Sequence, residues 1–339
     1  MKKRNSIFLL LFFFSSLLFS QSYIDPESIE YNPDDDRWFV SNSSNNQILE
    51  CDNNGNILSV FVNNVGGYPH GLEYVDGILY ACSGGRIKGY DSIGNLVVNY
   101  YMGGTFLNGL THKGNDLFMT DFSEKKMYRY NINSGNLNLF CTFSRTPNGT
   151  YYDDLNDRLL VVCWGNNAPI YEVNLSDSTY SIAITTSLGN IDGIAMDDCG
   201  DFYISAWSSN AIHKFSSDFS SNQIVAPGMS SPADIYYNRN DNILAVPNSG
   251  NNTVSFIQMT DCNSTNILEQ NNNLYIYPNP VNNGFVNFNQ NISNIKLFNY
   301  LGRLVKVQNK RSNKFSLEGL SKGVYFIDVG SEIKKIIIE

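Results

Sequence analysis

Histidine is scarce in this chain, cations are outnumbered and helical periodicity is missing. Each shortage closes off a class of function. Lys and Arg number 23 against 32 Asp and Glu, a formal charge of −9. Three cations fall at Lys2, Lys3 and Arg4, and residues 274–339 hold nine cations against four anions, so the stretch between carries −17. A body of that sign repels phosphate backbones, which are held by Lys/Arg stripes, and nucleic acid is excluded as a partner. The step from an acidic body to a basic tail also marks a domain boundary. Six cysteines (Cys51, Cys82, Cys141, Cys163, Cys199, Cys262) include no CxxC and no Cys/His spacing of a zinc site. Cys82, Cys141 and Cys163 sit inside apolar runs and read as small buried hydrophobes. No GxSxG, P-loop or GxGxxG stands in a strand–helix setting, which leaves serine-hydrolase and nucleotide chemistry without support.

Long apolar runs are confined to the start. Residues 1–20, "MKKRNSIFLLLFFFSSLLFS", place three cations before an apolar run and small residues after it. That is the pattern of a secretory signal, too short for a membrane span, with a retained anchor as the lesser reading. Nothing later approaches the roughly 18 apolar residues of a transmembrane helix, so a soluble mature chain without a transmembrane segment is expected.

What the chain has in abundance is repetition. Six copies of one phrase open at Glu27, His70, Asn108, Asn148, Asp192 and Ala233, at the blade length of a four-stranded propeller rather than that of a helical solenoid. Each copy holds an apolar-aromatic strand (A), a polar turn such as "NPDDD" or "DDCGD", an apolar strand (B), an alternating strand (C) such as "KMYRYN", and a fourth run (D). Asn, Gly, Ser and Asp fill the turns, since they accept positive φ or bond their own backbone. The sixth copy has no D run, and the segment "QSYID" before the first copy is expected to supply it and close the ring.

Strand A is the innermost strand of a blade, so the six opening residues must meet around one axis. They are Glu27, His70, Asn108, Asn148, Asp192 and Ala233, the last with Asp234 beside it, and Gly follows four of them. The glycine lets backbone crowd the axis while its neighbour points inward. Converging Glu, Asp and Asn oxygens without a nearby Lys or Arg suit a hard divalent cation, most simply calcium. A polar, water-filled channel is the competing reading. Strand polarity puts the B–C turns on the same face, where Trp164, Trp207, Tyr68 and Phe106 are placed to rim the mouth among amides, a surface suited to sugar rings. Packing between blades is the plainer reading of each aromatic. His70 is a candidate base or proton shuttle, or a satisfied channel histidine, whereas His112 and His213 read as ordinary strand positions.

The phrases "PESIEY", "PNGTYYDDLNDRLLVV" and "IDGIAMDDCGDFYIS" resemble the blade openings of the senescence-marker-protein/gluconolactonase family of six-bladed propellers, over about residues 25–260. The resemblance implies that Glu27, Asn148 and Asp192 hold one divalent cation. It also implies that Asp192 serves as general base on a lactone or ester carbonyl polarised by the metal. Paraoxonase-like propellers are similar in placing Asn and Asp around channel calcium, where Asn108 fits. The chain departs from the family at "FLNGLTHKGNDLFMTD", which lacks the Arg and the Asn-Asp-Gly segment that hold substrate there. Such openings also occur in non-catalytic propellers of the NHL type.

From Leu274 the text changes to short alternating strands, "LYIYPNPVNNGFVNF", "IKLFNYLGRLV", "FSLEGLSKGVYFIDV" and "KKIIIE", enough for a small β-sandwich. Their order strongly resembles the type A C-terminal sorting domain of the type IX secretion system, and a carbohydrate-binding or adhesive sandwich is the lesser reading. The resemblance implies a Bacteroidota-like source and export across both membranes, to the surface or beyond, with the secretion machinery as partner. The expected fold is all-β: a signal (1–20), a six-bladed β-propeller (21–262), a linker (263–273) and a sorting sandwich (274–339). Two functions stay open for the propeller. One is a metal-dependent lactone or ester hydrolase, with Asp192 and His70 as catalytic residues and Glu27, Asn108, Asn148 and Asp192 as metal ligands. The other is a non-catalytic module for a small-molecule, carbohydrate or protein ligand.

Overall fold

The inner strands start at the repeated phrases and run Pro26–Asn32, Pro69–Val75, Leu107–Lys113, Pro147–Asp153, Ile191–Met196 and Tyr236–Asn238. These come from a computed structural model that describes residues 21–260, 276–282, 284–330 and 333–339. The expected signal (1–20) and the linker (263–273) lie outside the described residues. The chain divides into two compact units, Met1–Ser264 and Thr265–Glu339.

In the first unit each inner strand opens an antiparallel sheet in simple up-and-down order, four strands in blades 1 to 5 and three in blade 6. Each inner strand packs on the next, and blade 6 packs on blade 1, so the ring closes with six members. The only helical turns among the described residues are two of 3-10 type, Ser43–Asn45 and Ser249–Asn251. Apolar clusters fill the gaps between neighbouring blades. Phe39, Leu72 and Leu79 join blades 1 and 2, while Trp38, Ala245 and Phe256 join blades 1 and 6. Burying such side chains contributes about 1.5–3 kcal/mol each.

The segment before the first blade does not form the missing fourth strand. Residues 21–25 carry no ladder; Tyr23 packs into the blade 1–blade 6 cluster and donates its hydroxyl to the Gly55 carbonyl (2.9 Å). Asp25 latches the closure through side chains instead, its N–H donating to Asn252 Oδ1 (2.8 Å) and its carboxylate accepting from the Ser44 and Ser249 hydroxyls. The segment is too short to serve a whole sheet edge, and it bridges two blades where it was expected to complete one.

A recurrent irregularity shapes the axis. Between the first and fourth residues of the inner strands of blades 2, 3, 4 and 5, two residues face one on strand B, and blade 1 has the matching bulge after Pro26. A bulge resets the alternation of side chains. Residues three apart, not two, therefore turn to the same side.

The second unit is a small β-sandwich. A three-stranded sheet (Ile276–Tyr277, Phe285–Ile292, Ser312–Ser316) and a four-stranded one (Leu304–Gln308, Ile295–Asn299, Gly323–Asp328, Ile333–Ile338) share a core of Val286, Phe288, Leu297, Phe315, Ile327 and Ile336. Of the cysteines, Cys51, Cys82 and Cys163 are buried free thiols and Cys141 a half-buried one, while Cys199 is disulfide-bonded. No helix among the described residues is long and apolar enough to cross a membrane.

Candidate functional site

The glycine after each opening residue sets how tightly the axis closes. A Cβ on Gly71 would lie 2.3 Å from the Asn108 carbonyl oxygen, one on Gly109 2.5 Å from that of Asn148, and one on Gly149 2.4 Å from that of Asp192. Each of these inner strands thus rests on the backbone of the next. A strand-B hydroxyl repeats the same stitch: Thr120 Oγ1 accepts the Gly109 N–H (2.9 Å) and donates to the Asn148 carbonyl (2.6 Å). Ser205 does so between Gly193 and Ala233, at 2.7 Å each. Blades 1 and 6 carry Ser28 and Asp234 in place of the glycine. These two side chains meet, the Ser28 hydroxyl donating to Asp234 Oδ2 at 2.9 Å, and the Asp234 N–H donates to the Glu27 carbonyl at 2.9 Å.

Above this layer lies the opening ring. Asn108 Nδ2 donates to Asn148 Oδ1, and Asn148 Nδ2 donates to the Ile191 carbonyl (3.2 Å). Asp192 is 4% exposed beside them. Burial, then the charge of Asp234, raises its carboxyl well above the usual carboxylate range, against the hydrogen-bonding pull of Asn148 and Trp207. Burial likewise raises Glu27, followed by the charges of Asp192, Asp25 and Asp234. The Trp207 indole N–H is buried without a partner at hydrogen-bonding geometry, and Asp192 is the acceptor it stands beside. Four expected ligands, Glu27, Asn108, Asn148 and Asp192, therefore come from four blades to one neighbourhood. Ala233 does not join them: it is fully buried, and Asp234 supplies the acidic group of blade 6.

His70 stands at the edge of that neighbourhood. Its Nδ1 lies 2.9 Å from the Tyr68 carbonyl, so Nδ1 carries the proton and Nε2 the lone pair of the neutral ring. Burial pushes its pKa down to about 4, against the pull of that carbonyl and of Asp25. From His70 an arc of rings follows the mouth, His70–Phe106 (4.7 Å), Phe106–Phe122 (5.3 Å), Phe122–Trp164 (5.8 Å) and Trp164–Trp207 (5.2 Å). Phe122, the first residue after its B strand, escaped the sequence reading because it looked like part of a turn. Tyr68 is 63% exposed and takes no part in the arc.

A cavity of about 460 Å³ lies elsewhere, at the mouth formed by the A–B turns. Its wall includes Glu30, Glu73, Thr111, Tyr151, Ala195 and Tyr236, each three residues beyond the opening residue of its own blade, as the bulges require. His112 is here too and is no ordinary strand position: Nδ1 lies 2.6 Å from Glu73 Oε1. Burial would lower its pKa, but the bond to and charge of Glu73 prevail and raise it. His213 sits as a buried strand residue, with Nε2 2.8 Å from the Ser209 hydroxyl. Spacing by three was a signal available in the sequence, hidden by the expectation of strict alternation.

As for a metal, the donor set at the opening ring is chemically apt: two carboxylates and two amides, with no Lys or Arg of the described residues paired with them. Among the described residues no three His, Cys, Asp or Glu side chains are arranged to hold an ion by themselves. Any cation here must take amide oxygens as ligands, which Asn148 and Asn108 can provide.

Comparison with known proteins agrees with both units. Residues 275–339 match the secretion system C-terminal sorting domain, which assigns the chain to secretion with attachment at the cell surface or outer membrane and implies contact with the secretion machinery. No curated protein matches the chain by sequence. Among solved structures, a protein of unknown function from Bacteroides thetaiotaomicron is similar at 11% identity and TM-score 0.59, covering 70% of each chain. The nidogen/laminin complex matches at 14% and 0.57, covering 65% of this chain and 88% of that one. A streptogramin B lyase matches at 14% and 0.52, covering 72% and 86%. At these identities the likeness shows a shared β-propeller fold.

Proposed function

We propose that the exported propeller holds a divalent cation, most simply calcium, at Glu27, Asn148 and Asp192 with Asn108, and acts there on lactones or esters. One observation carries the reading: two carboxylates from blades 1 and 5 converge beside paired amides from blades 3 and 4, and no cationic side chain among the described residues offsets their repulsion. A divalent ion neutralises that pair. When bound, it supplies the polarisation of a substrate carbonyl. Asp192 takes the proton of a water attacking that carbon, and the neutral His70, with its free Nε2, is placed to relay a proton at the rim. The aromatic arc covers the substrate's apolar face and limits the access of further water.

The arc also favours a second reading, a non-catalytic module that stacks a sugar or peptide side chain on Phe106, Trp164 and Trp207. The absence of a substrate-holding Arg at the third blade is compatible with it. Melting curves of the full chain with and without calcium separate the possibilities. An ion that binds only the folded state stabilises it by about 2.7 kcal/mol at a hundredfold excess over Kd. Asp192→Ala should remove that rise while leaving a folded propeller. If calorimetry detects no calcium binding to the wild type, the metal reading and the hydrolase reading fall together. If calcium binds but a panel of lactones and esters is untouched, the binding module stands.

A further inference from the structure

The cavity at the opposite mouth carries a charge pattern that the opening ring does not explain. Seven ionisable groups besides tyrosines line it. Five are matched: His112 is spent on Glu73, Lys113 is spent on Asp157, and Arg239 is spent on Asp154, through Nη1 (3.0 Å) and Nη2 (2.9 Å), and on the Tyr151 hydroxyl (2.7 Å). Two carboxylates on the wall are not. Glu30 is 6% exposed, and no side chain among the described residues bonds to or pairs with its carboxyl group; burial, then the charge of Glu73, raises it well above the usual carboxylate range, against the pull of the Tyr74 and Tyr31 backbone. Asp234 has one neutral side-chain partner, the Ser28 hydroxyl. A buried carboxylate without a cation is costly to keep and is normally paired.

The rest of the wall narrows the kind of cation. Tyr31, Tyr74, Tyr151 and Tyr236 line the same space, which is of small-molecule size. Tyr31 and Tyr236 are held against Trp38, with centroids at 4.9 and 5.7 Å, so their planes are fixed by packing. Fixed π faces beside the buried Glu30 and the half-buried Asp234 attract an organic cation, whose carbon surface a hydrated metal ion lacks. An anionic or strongly hydrated ligand would meet uncompensated charge and aromatic surface.

We propose that this cavity is a second ligand site, distinct from the opening ring, that takes a primary or secondary ammonium compound between Glu30 and the tyrosine faces. The ammonium group donates to Glu30, with Asp234 as the second anion, and the apolar body of the ligand lies against the rings of Tyr151 and Tyr236. Glu73 stays neutralised by His112, and Arg239 fixes Tyr151 from the outside.

The test is calorimetric titration of the full chain at mildly alkaline pH with cyclohexylamine and phenethylamine, and with cyclohexanol and 2-phenylethanol as neutral isosteres. The amines should bind in the millimolar range or tighter and the alcohols at least tenfold more weakly. Glu30→Gln should weaken the amines at least tenfold with its circular dichroism unchanged, and Tyr236→Leu, a second variant, should weaken them without altering the charge. Asp192→Ala should leave amine binding intact, so that failure of the metal site and failure of this one are told apart. Equal binding of amine and alcohol, or no binding of either amine, would overturn the proposal. So would amine binding indifferent to both Glu30→Gln and Tyr236→Leu.

Discussion

Asp234→Asn should make the protein more stable at about pH 8, by roughly 3 kcal/mol more than at about pH 5. The half-buried Asp234 carboxyl lies between the opening ring and the lower cavity, and loss of water first, then the charge of Glu73, pushes its pKa up to about 7 from 3.8, against the bonds from Ser28 and the Ile235 backbone. A carboxyl whose folded pKa is raised keeps a proton that the unfolded chain has already released. Its contribution is therefore fully present below 3.8 and is lost as pH rises through about 7. Some three units at 1.36 kcal/mol each give about 4 kcal/mol in all, of which roughly 3 kcal/mol falls between pH 5 and pH 8. Other groups act on the same curve, His70 and His213 with the opposite sign because burial lowers both. The informative quantity is thus the difference between wild type and variant. Asparagine keeps an acceptor for Ser28, so little else changes. All three tryptophans, Trp38, Trp164 and Trp207, lie in the propeller, and their fluorescence follows its unfolding without interference from the sorting domain. Urea titrations in chelator at several pH values should show the difference growing by about 3 kcal/mol, or roughly 6–12 °C in Tm for a unit of this size. Parallel pH curves for the two proteins would show that Asp234 is solvated, and the account of its raised pKa would be wrong.

Two shorter predictions bear on the fold. Gly149→Ala puts a methyl group 2.4 Å from the Asp192 carbonyl oxygen and 3.1 Å from Gly193 Cα, both backbone, so it should cost at least about 1–3 kcal/mol and blunt any calcium response; an unchanged melting curve would contradict the tight axis. Deleting residues 275–339 should leave the cooperative tryptophan-detected transition in place and abolish surface delivery, read by fractionating the producing cells; normal delivery would contradict the sorting role.

The repeat was legible because its signals are local. Asn, Gly and Asp punctuate each turn, and apolar runs of five or six residues give strands whatever their neighbours are. The opening ring was legible for the same reason, since six blades forced into a circle must present equivalent positions to one axis. Closure was not local. Whether "QSYID" pairs along a sheet edge or latches through Asp25 depends on groups more than two hundred residues away, Ser249 and Asn252.

The lower ring shows why the remainder stayed hidden. In an unbroken strand, a residue three beyond Glu27 points away from it, so Glu30 reads as facing the neighbouring blade. The bulge in the inner strands of blades 1 to 5 inserts one residue and reverses that inference, so that Glu30, Glu73 and Tyr151 return to the channel, where Tyr236 of blade 6 joins them. In blades 2 to 5 the bulge coincides with the glycine at which an inner strand lies against the backbone of the next. One steric requirement, at Gly71, Gly109, Gly149 and Gly193, thus separates the channel into two layers of opposite access. Above it, carboxylates and amides face an aromatic rim; below it, carboxylates face tyrosines. The substitutions Asp192→Ala and Glu30→Gln probe the two layers independently, and a chain in which either change abolished both binding activities would have a single continuous site instead.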